Sequence, residues 1–144
     1  VDAIRQRLDP RQHAIIPAHV TLCREAEIED WSTIRTTLQS LDGVAVKLGF
    51  GLPERLQDGC ILLPAQGNTA MYDDLRRKIL GSACAIHLPH ITLLHPRHSA
   101  GRDDDLAALA EETLPEIIQF RCVQVIEQMH GSKWHVIEQY GRFE

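Results

Sequence analysis

A chain of 144 residues with 44% hydrophobic and 24% charged side chains is long enough for one domain burying roughly 68–70% of its unfolded surface, and this composition excludes disorder and collagen-like structure. Fifteen basic against twenty acidic side chains give a formal charge of −5, which argues against a broad surface tracking duplex DNA or long RNA and leaves room for a small phosphate-bearing ligand. Cys23, Cys60, Cys84 and Cys122 are widely spaced with no CxxC pair, so reduced thiols are expected rather than a disulfide scaffold. No run approaches the roughly 20 apolar residues of a membrane span, and the charged opening Val1 to Leu8 does not fit a secretory signal, so the cytoplasm is the default location.

In chain order, Val1, Ile4 and Leu8 recur at helical spacing and stop before Asp9-Pro10. The run 18–23 has the length and β-branched content of a strand. Ile28, Trp31, Ile34, Leu38 and Leu41 mark a second helix, closed by Asp42-Gly43, and Val44 to Phe50 reads as a strand. A loop is expected over Gly49 to Gly59, then a compact apolar strand over 60–63. A helix over about 69–80 presents Met71, Leu75 and Ile79; the strand 90–94 follows, and Asp103-Asp104-Asp105 opens a helix running to Leu114. The segments 117–128 and 134–140 flank His130-Gly131-Ser132-Lys133 as a hairpin.

A shift of 71 residues lays helix 69–80 on the opening helix, strand 90–94 on the run 19–23, and helix 103–114 on helix 28–41. The chain is thus expected to be a single domain over 1–144 made of two copies, about 1–58 and 59–144. The same shift carries the strand 60–63 to positions before Val1, so a leading strand preceding the numbered chain is expected.

His19-Val20-Thr21-Leu22 and His90-Ile91-Thr92-Leu93 are the only His-x-Thr triplets and occupy equivalent places in the two copies. With eight histidines and seven threonines, roughly 0.4 such triplets are expected by chance. On a strand each His and Thr share a face while Val20 with Leu22, and Ile91 with Leu93, turn to a core. Two polar teeth therefore stand on each otherwise apolar segment.

These features resemble the 2H phosphoesterases, the family of bacterial 2′,5′-RNA ligase-like proteins and cyclic nucleotide phosphodiesterases. The resemblance lies in the two His-x-Thr motifs, the helix ahead of each, the small residue or proline before each His (Ala18, Pro89), and the closing Trp134-His135-Val136-Ile137. It implies an α+β fold of two pseudo-symmetric lobes, with antiparallel sheets facing a central cleft and helices outside. It also implies His19, Thr21, His90 and Thr92 as the catalytic residues, no cofactor or metal, and a small cyclic phosphodiester or an RNA terminus as partner. A monomer is expected, with no duplex DNA and no membrane as partner.

The chemistry stands beside that likeness. Opening a cyclic phosphodiester needs a base for water and an acid for the departing ribose oxygen, and imidazole, with a pKa of about 6.5, serves either role near neutrality. Threonine hydroxyls can donate to non-bridging oxygens as charge develops. Run backward, the same pair joins a hydroxyl to a cyclic phosphate; which histidine is the acid stays open here. Arg24 and Arg97, just beyond the two motifs, are candidates for phosphate contact, and Phe50, in a Gly-Phe-Gly step, for base stacking, although solvated arginines and a core phenylalanine are the commoner outcomes. Two other functions compete: a non-catalytic nucleotide-binding module using the same cleft, and a zinc site built from His90, His95 and His98, which lacks a recognisable ligand spacing.

Overall fold

Residues 1–141 are described by the computed structural model, and within them helices and antiparallel strands give the α+β class. The opening apolar spacing forms helix α1 (Asp2–Leu8), and a second helix, α2 (Pro10–Ile15), follows at once. The Asp9-Pro10 pair, which reads as a stop, is also a start. The Asp9 carboxylate accepts from the Gln12 amide at 3.1 Å, and Pro10 takes the first helical position, where no N–H is needed. Helix α3 (Trp31–Gln39) begins later than its apolar pattern because Asp30 caps it through the Ser32 amide at 3.0 Å. A turn of 3-10 helix, Glu25–Glu27, precedes it.

Strands β1 (Val46–Phe50), β2 (Glu54–Arg55) and β3 (Ile61–Gln66), helix α4 (Ala70–Leu80), strand β4 (His90–Leu94) and helix α5 (Asp103–Ala110) come next. β2 falls inside the expected loop and prolongs β1 along the same edge of β3. β4 pairs with the other edge of β3, and β5 (Ile117–Phe120) pairs with β1. The stretch 117–128 is therefore not one strand. The chain leaves the five-stranded sheet at Arg121 and enters a separate two-stranded sheet of β6 (Cys122–Glu127) and β7 (His135–Gly141). Left-handed backbone at His130 and Gly131 turns this hairpin. The five-stranded sheet takes β1 and β2 from residues 1–58 and β3, β4 and β5 from residues 59–144, so the two expected copies do not each form a sheet of their own.

The register fixes which side chains share a face, because cross-strand partners project to the same side. Val46, Leu48, Phe50, Ile61, Leu63, Ala65, Ile91, Leu93, Ile118 and Phe120 form one apolar face. Ile4 of α1 and Leu109 of α5 pack against one part of it, and Tyr72 of α4 against the other. The opposite face carries Lys47, Gly49, Leu62, Pro64, Gln66, His90, Thr92 and Gln119. It is the more polar face, and none of the three clusters of buried apolar side chains lies on it.

Candidate active site

The first motif does not form the strand expected over 18–23. It runs extended beside β4 and makes one antiparallel bridge, Val20 to Ile91. Two carbonyls of the run are taken by side chains: that of Thr21, which a ladder to β4 would use, accepts from the Tyr72 hydroxyl at 2.8 Å, and that of Leu22, on the opposite edge, accepts from Nη1 of Arg76. Residues 20 and 91 are also the pair equated by the shift of 71. The bridge has a local two-fold axis of its own, between Val20 and Ile91.

That bridge places His19 across from Thr92 and Thr21 across from His90, all four on the face opposite the half-buried side chain of Val20 and the buried one of Ile91. The two histidines lie on one diagonal of this quartet and the two threonines on the other, with Cα atoms about 7–8 Å apart along a diagonal. The structure thus brings together four residues that the sequence separates by seventy positions.

Both rings are held in the same way. Nδ1 of His19 donates to the Pro17 carbonyl at 2.8 Å, and Nδ1 of His90 donates to the Leu88 carbonyl at 3.0 Å, each two residues back. A carbonyl only accepts, so each Nδ1 carries a proton and each Nε2 is left for chemistry. Burial lowers the pKa of His19; the nearby Arg5 guanidinium and His90 push it the same way, against the Pro17 carbonyl.

Beneath the quartet lie two buried arginines, Arg5 at 1% and Arg76 at 2% exposure. Arg76 pairs with Glu27 at 2.6 Å and donates to the Ala85 carbonyl at 3.0 Å. The hydrogen bond from Arg76 pulls the Glu27 carboxyl down to about 2; it also accepts from the Arg24 amide at 2.8 Å and bonds His87 Nε2 at 3.0 Å. Burial works against the Arg76 charge, but Glu27 outweighs it and the arginine's pKa is raised. A cavity of about 30 Å³ sits among Thr21, Arg24, Glu27, Arg76, His87 and His90, room for a water rather than a substrate.

Arg24 reaches this cluster, and its guanidinium has no carboxylate partner among the described residues. Arg97 does not line the cavity; it is exposed in the turn after β4, where its amide donates to His95 Nδ1 at 3.1 Å. Phe50 belongs to the apolar face, edge-on to Phe120 with centroids 6.5 Å apart, and borders a second hollow near Leu109 and Leu114. It is therefore on the other side of the sheet from His90. His90, His95 and His98 form no metal-ligating group, nor do any three His, Cys, Asp or Glu among the described residues. Among the described residues no helix is long and apolar enough to cross a membrane.

Arg5, Arg76 and Glu27 were not singled out by sequence reasoning. A signal was present: each arginine interrupts an apolar helical stripe, Ile4 to Leu8 and Leu75 to Ile79, and the two are 71 positions apart. No protein-family model matches the chain, and a search of curated proteins finds no match.

Proposed function

We propose that this chain is a metal-independent phosphodiesterase of the 2H type that opens a 2′,3′-cyclic phosphate on a nucleoside or an RNA end. One observation carries the reading: two His-Thr pairs related by the axis through Val20 and Ile91, each presenting a free Nε2 on the same polar face. A phosphorus above that axis has a histidine on each side along one diagonal, as in-line displacement requires, and a threonine on each side along the other.

His19, held toward its neutral form, is the base. Its Nε2 takes a proton from water as the water oxygen bonds to phosphorus; the bond from phosphorus to the ribose oxygen breaks, and that oxygen takes the proton from Nε2 of His90. The product is a phosphate monoester beside a free hydroxyl. Thr21 and Thr92 donate to the two non-bridging oxygens, and Arg24 supplies positive charge at the edge of the site. By microscopic reversibility, a ribose hydroxyl in place of water gives ligation.

The test is a panel of 2′,3′-cyclic nucleotides and cyclic-phosphate-ended oligoribonucleotides, assayed with wild type, His19→Ala and His90→Ala after EDTA treatment. Turnover by wild type, lowered roughly 10²–10⁴-fold in each variant, is expected. Binding without product in wild type would replace the enzyme by a nucleotide-binding module, and loss of turnover on EDTA treatment would replace the two-histidine scheme by a metal mechanism.

A further inference from the structure

The symmetry of the site extends below its surface. Arg5 and Arg76 are equated by the same shift of 71 that equates the motifs, and both are among the most buried side chains of the described residues. Each bonds within its own copy: Nε of Arg5 donates to the Ile16 carbonyl at 3.3 Å, and Nη2 of Arg76 donates to the Ala85 carbonyl at 3.0 Å. Both of these carbonyls lie a few residues ahead of the copy's own histidine. Each arginine also crosses the axis. Nη1 of Arg5 donates to the Thr92 carbonyl of the second motif, and Nη1 of Arg76 donates to the Leu22 carbonyl at the end of the first.

We propose that Arg5 and Arg76 are a matched pair of positioning residues, each carried by one copy's helix and fixing the main chain of the other copy's His-x-Thr segment. A planar guanidinium holds several acceptors in one fixed geometry, so it can set the separation of two chain segments; an ammonium on a flexible stem cannot. The carbonyls concerned flank the single bridge at Val20 and Ile91. The Thr92 carbonyl is one that a longer ladder would use, and the Leu22 carbonyl is turned to the opposite edge of its segment; by holding both, the arginines set the opening between the histidines. Each half of the site is thus built partly from the other copy, and damage to one brace misplaces the motif across the axis.

This inference rests on the two-histidine reading, and the experiment separates their failures. The carbonyl ¹³C shifts of Thr92 and Leu22 are followed in full-length wild type, Arg5→Lys and Arg76→Lys, together with kcat and KM for a 2′,3′-cyclic nucleotide. The crossed pattern is expected: Arg5→Lys moves Thr92 and spares Leu22, and Arg76→Lys does the reverse. Each substitution lowers kcat about 10²-fold, the cost of a displacement of about 1 Å at the reacting groups, with KM held within about threefold. Arg5→Ala and Arg76→Ala regain part of that kcat when millimolar guanidinium is added; if either fails to fold, the lysine variants decide alone. Shifts confined to Ile16 and Ala85, or a lowered melting temperature with kcat unchanged, would overturn the brace. Wild-type protein that leaves every cyclic phosphate intact overturns the enzymatic reading instead, and the carbonyl shifts then still judge whether the arginines hold the opposite copy.

Discussion

Replacing Glu27 with glutamine keeps the shape of the side chain and removes the charge facing Arg76. A carboxyl whose pKa falls from 4.5 to about 2 contributes about 3 kcal/mol of stability at neutral pH when the whole shift counts. Solvent still reaches 19% of the Glu27 side chain, which reduces the figure to about 2–3 kcal/mol. The folded-state pKa is the lower one, so this contribution is complete above the unfolded value near 4.5 and disappears as pH falls toward 2. Urea unfolding of wild type and Glu27→Gln at a series of pH values reads it directly. The gap between the two proteins should be about 2–3 kcal/mol at pH 7 and shrink by about half or more by pH 3. A gap under about 0.5 kcal/mol at neutral pH, or one that stays the same at both ends of the series, refutes the argument that the Glu27–Arg76 pair ties α4 to the segment after the first motif.

Three further outcomes are expected. Burial, with Arg5 and His90 beside it, lowers the pKa of His19, so in the proposed role of base it stays unprotonated below the ordinary imidazole value. The acidic inflection of kcat/KM then lies below about 6.5, and an inflection above pH 7 would remove His19 from the role of base. Thr21→Val and Thr92→Val each delete one hydroxyl that the proposed mechanism directs at the phosphoryl oxygens, and each should lower kcat roughly 10²–10³-fold; strong unevenness between them, measured on one cyclic nucleotide, would argue against the two-fold arrangement. Burial pushes the Cys23 thiol up to about 11, so alkylation by iodoacetamide at pH 8 should be far slower at Cys23 than in a cysteine-containing peptide, as mass spectrometry can follow.

The helices α1, α3, α4 and α5 and the strand β4 were legible because each buries one stripe or one face, and the period of apolar residues reports that directly. The motif residues were legible because polar side chains on apolar segments recur 71 positions apart. What failed to show was set by contacts between distant segments. The extended run around Val20 has the composition of a strand, but Tyr72 and Arg76 compete for its carbonyls, and no local pattern announces that competition. The break at Arg121 between β5 and β6 is likewise a choice between two pairing partners, β1 and β7. Phe50 offered a ring beside flexible glycines, yet strand parity set it with Ala65 and Phe120 on the helix-covered side. Parity was readable in advance only with the register to β3, which the sequence does not state.

The pairing of Val20 with Ile91, the two positions equated by the shift of 71, bears on the direction of the proposed reaction. An in-line displacement filmed in reverse is another in-line displacement with entering and departing oxygens exchanged, and half a turn about the local axis of the bridge performs that same exchange. The motif quartet is in this sense a palindrome, indifferent to forward and backward. Any preference has to come from what breaks the rotation, and two such features are at hand: the carboxylate of Glu27, which meets Arg76 while no acid pairs with Arg5 among the described ion pairs, and the lowered proton affinity of His19.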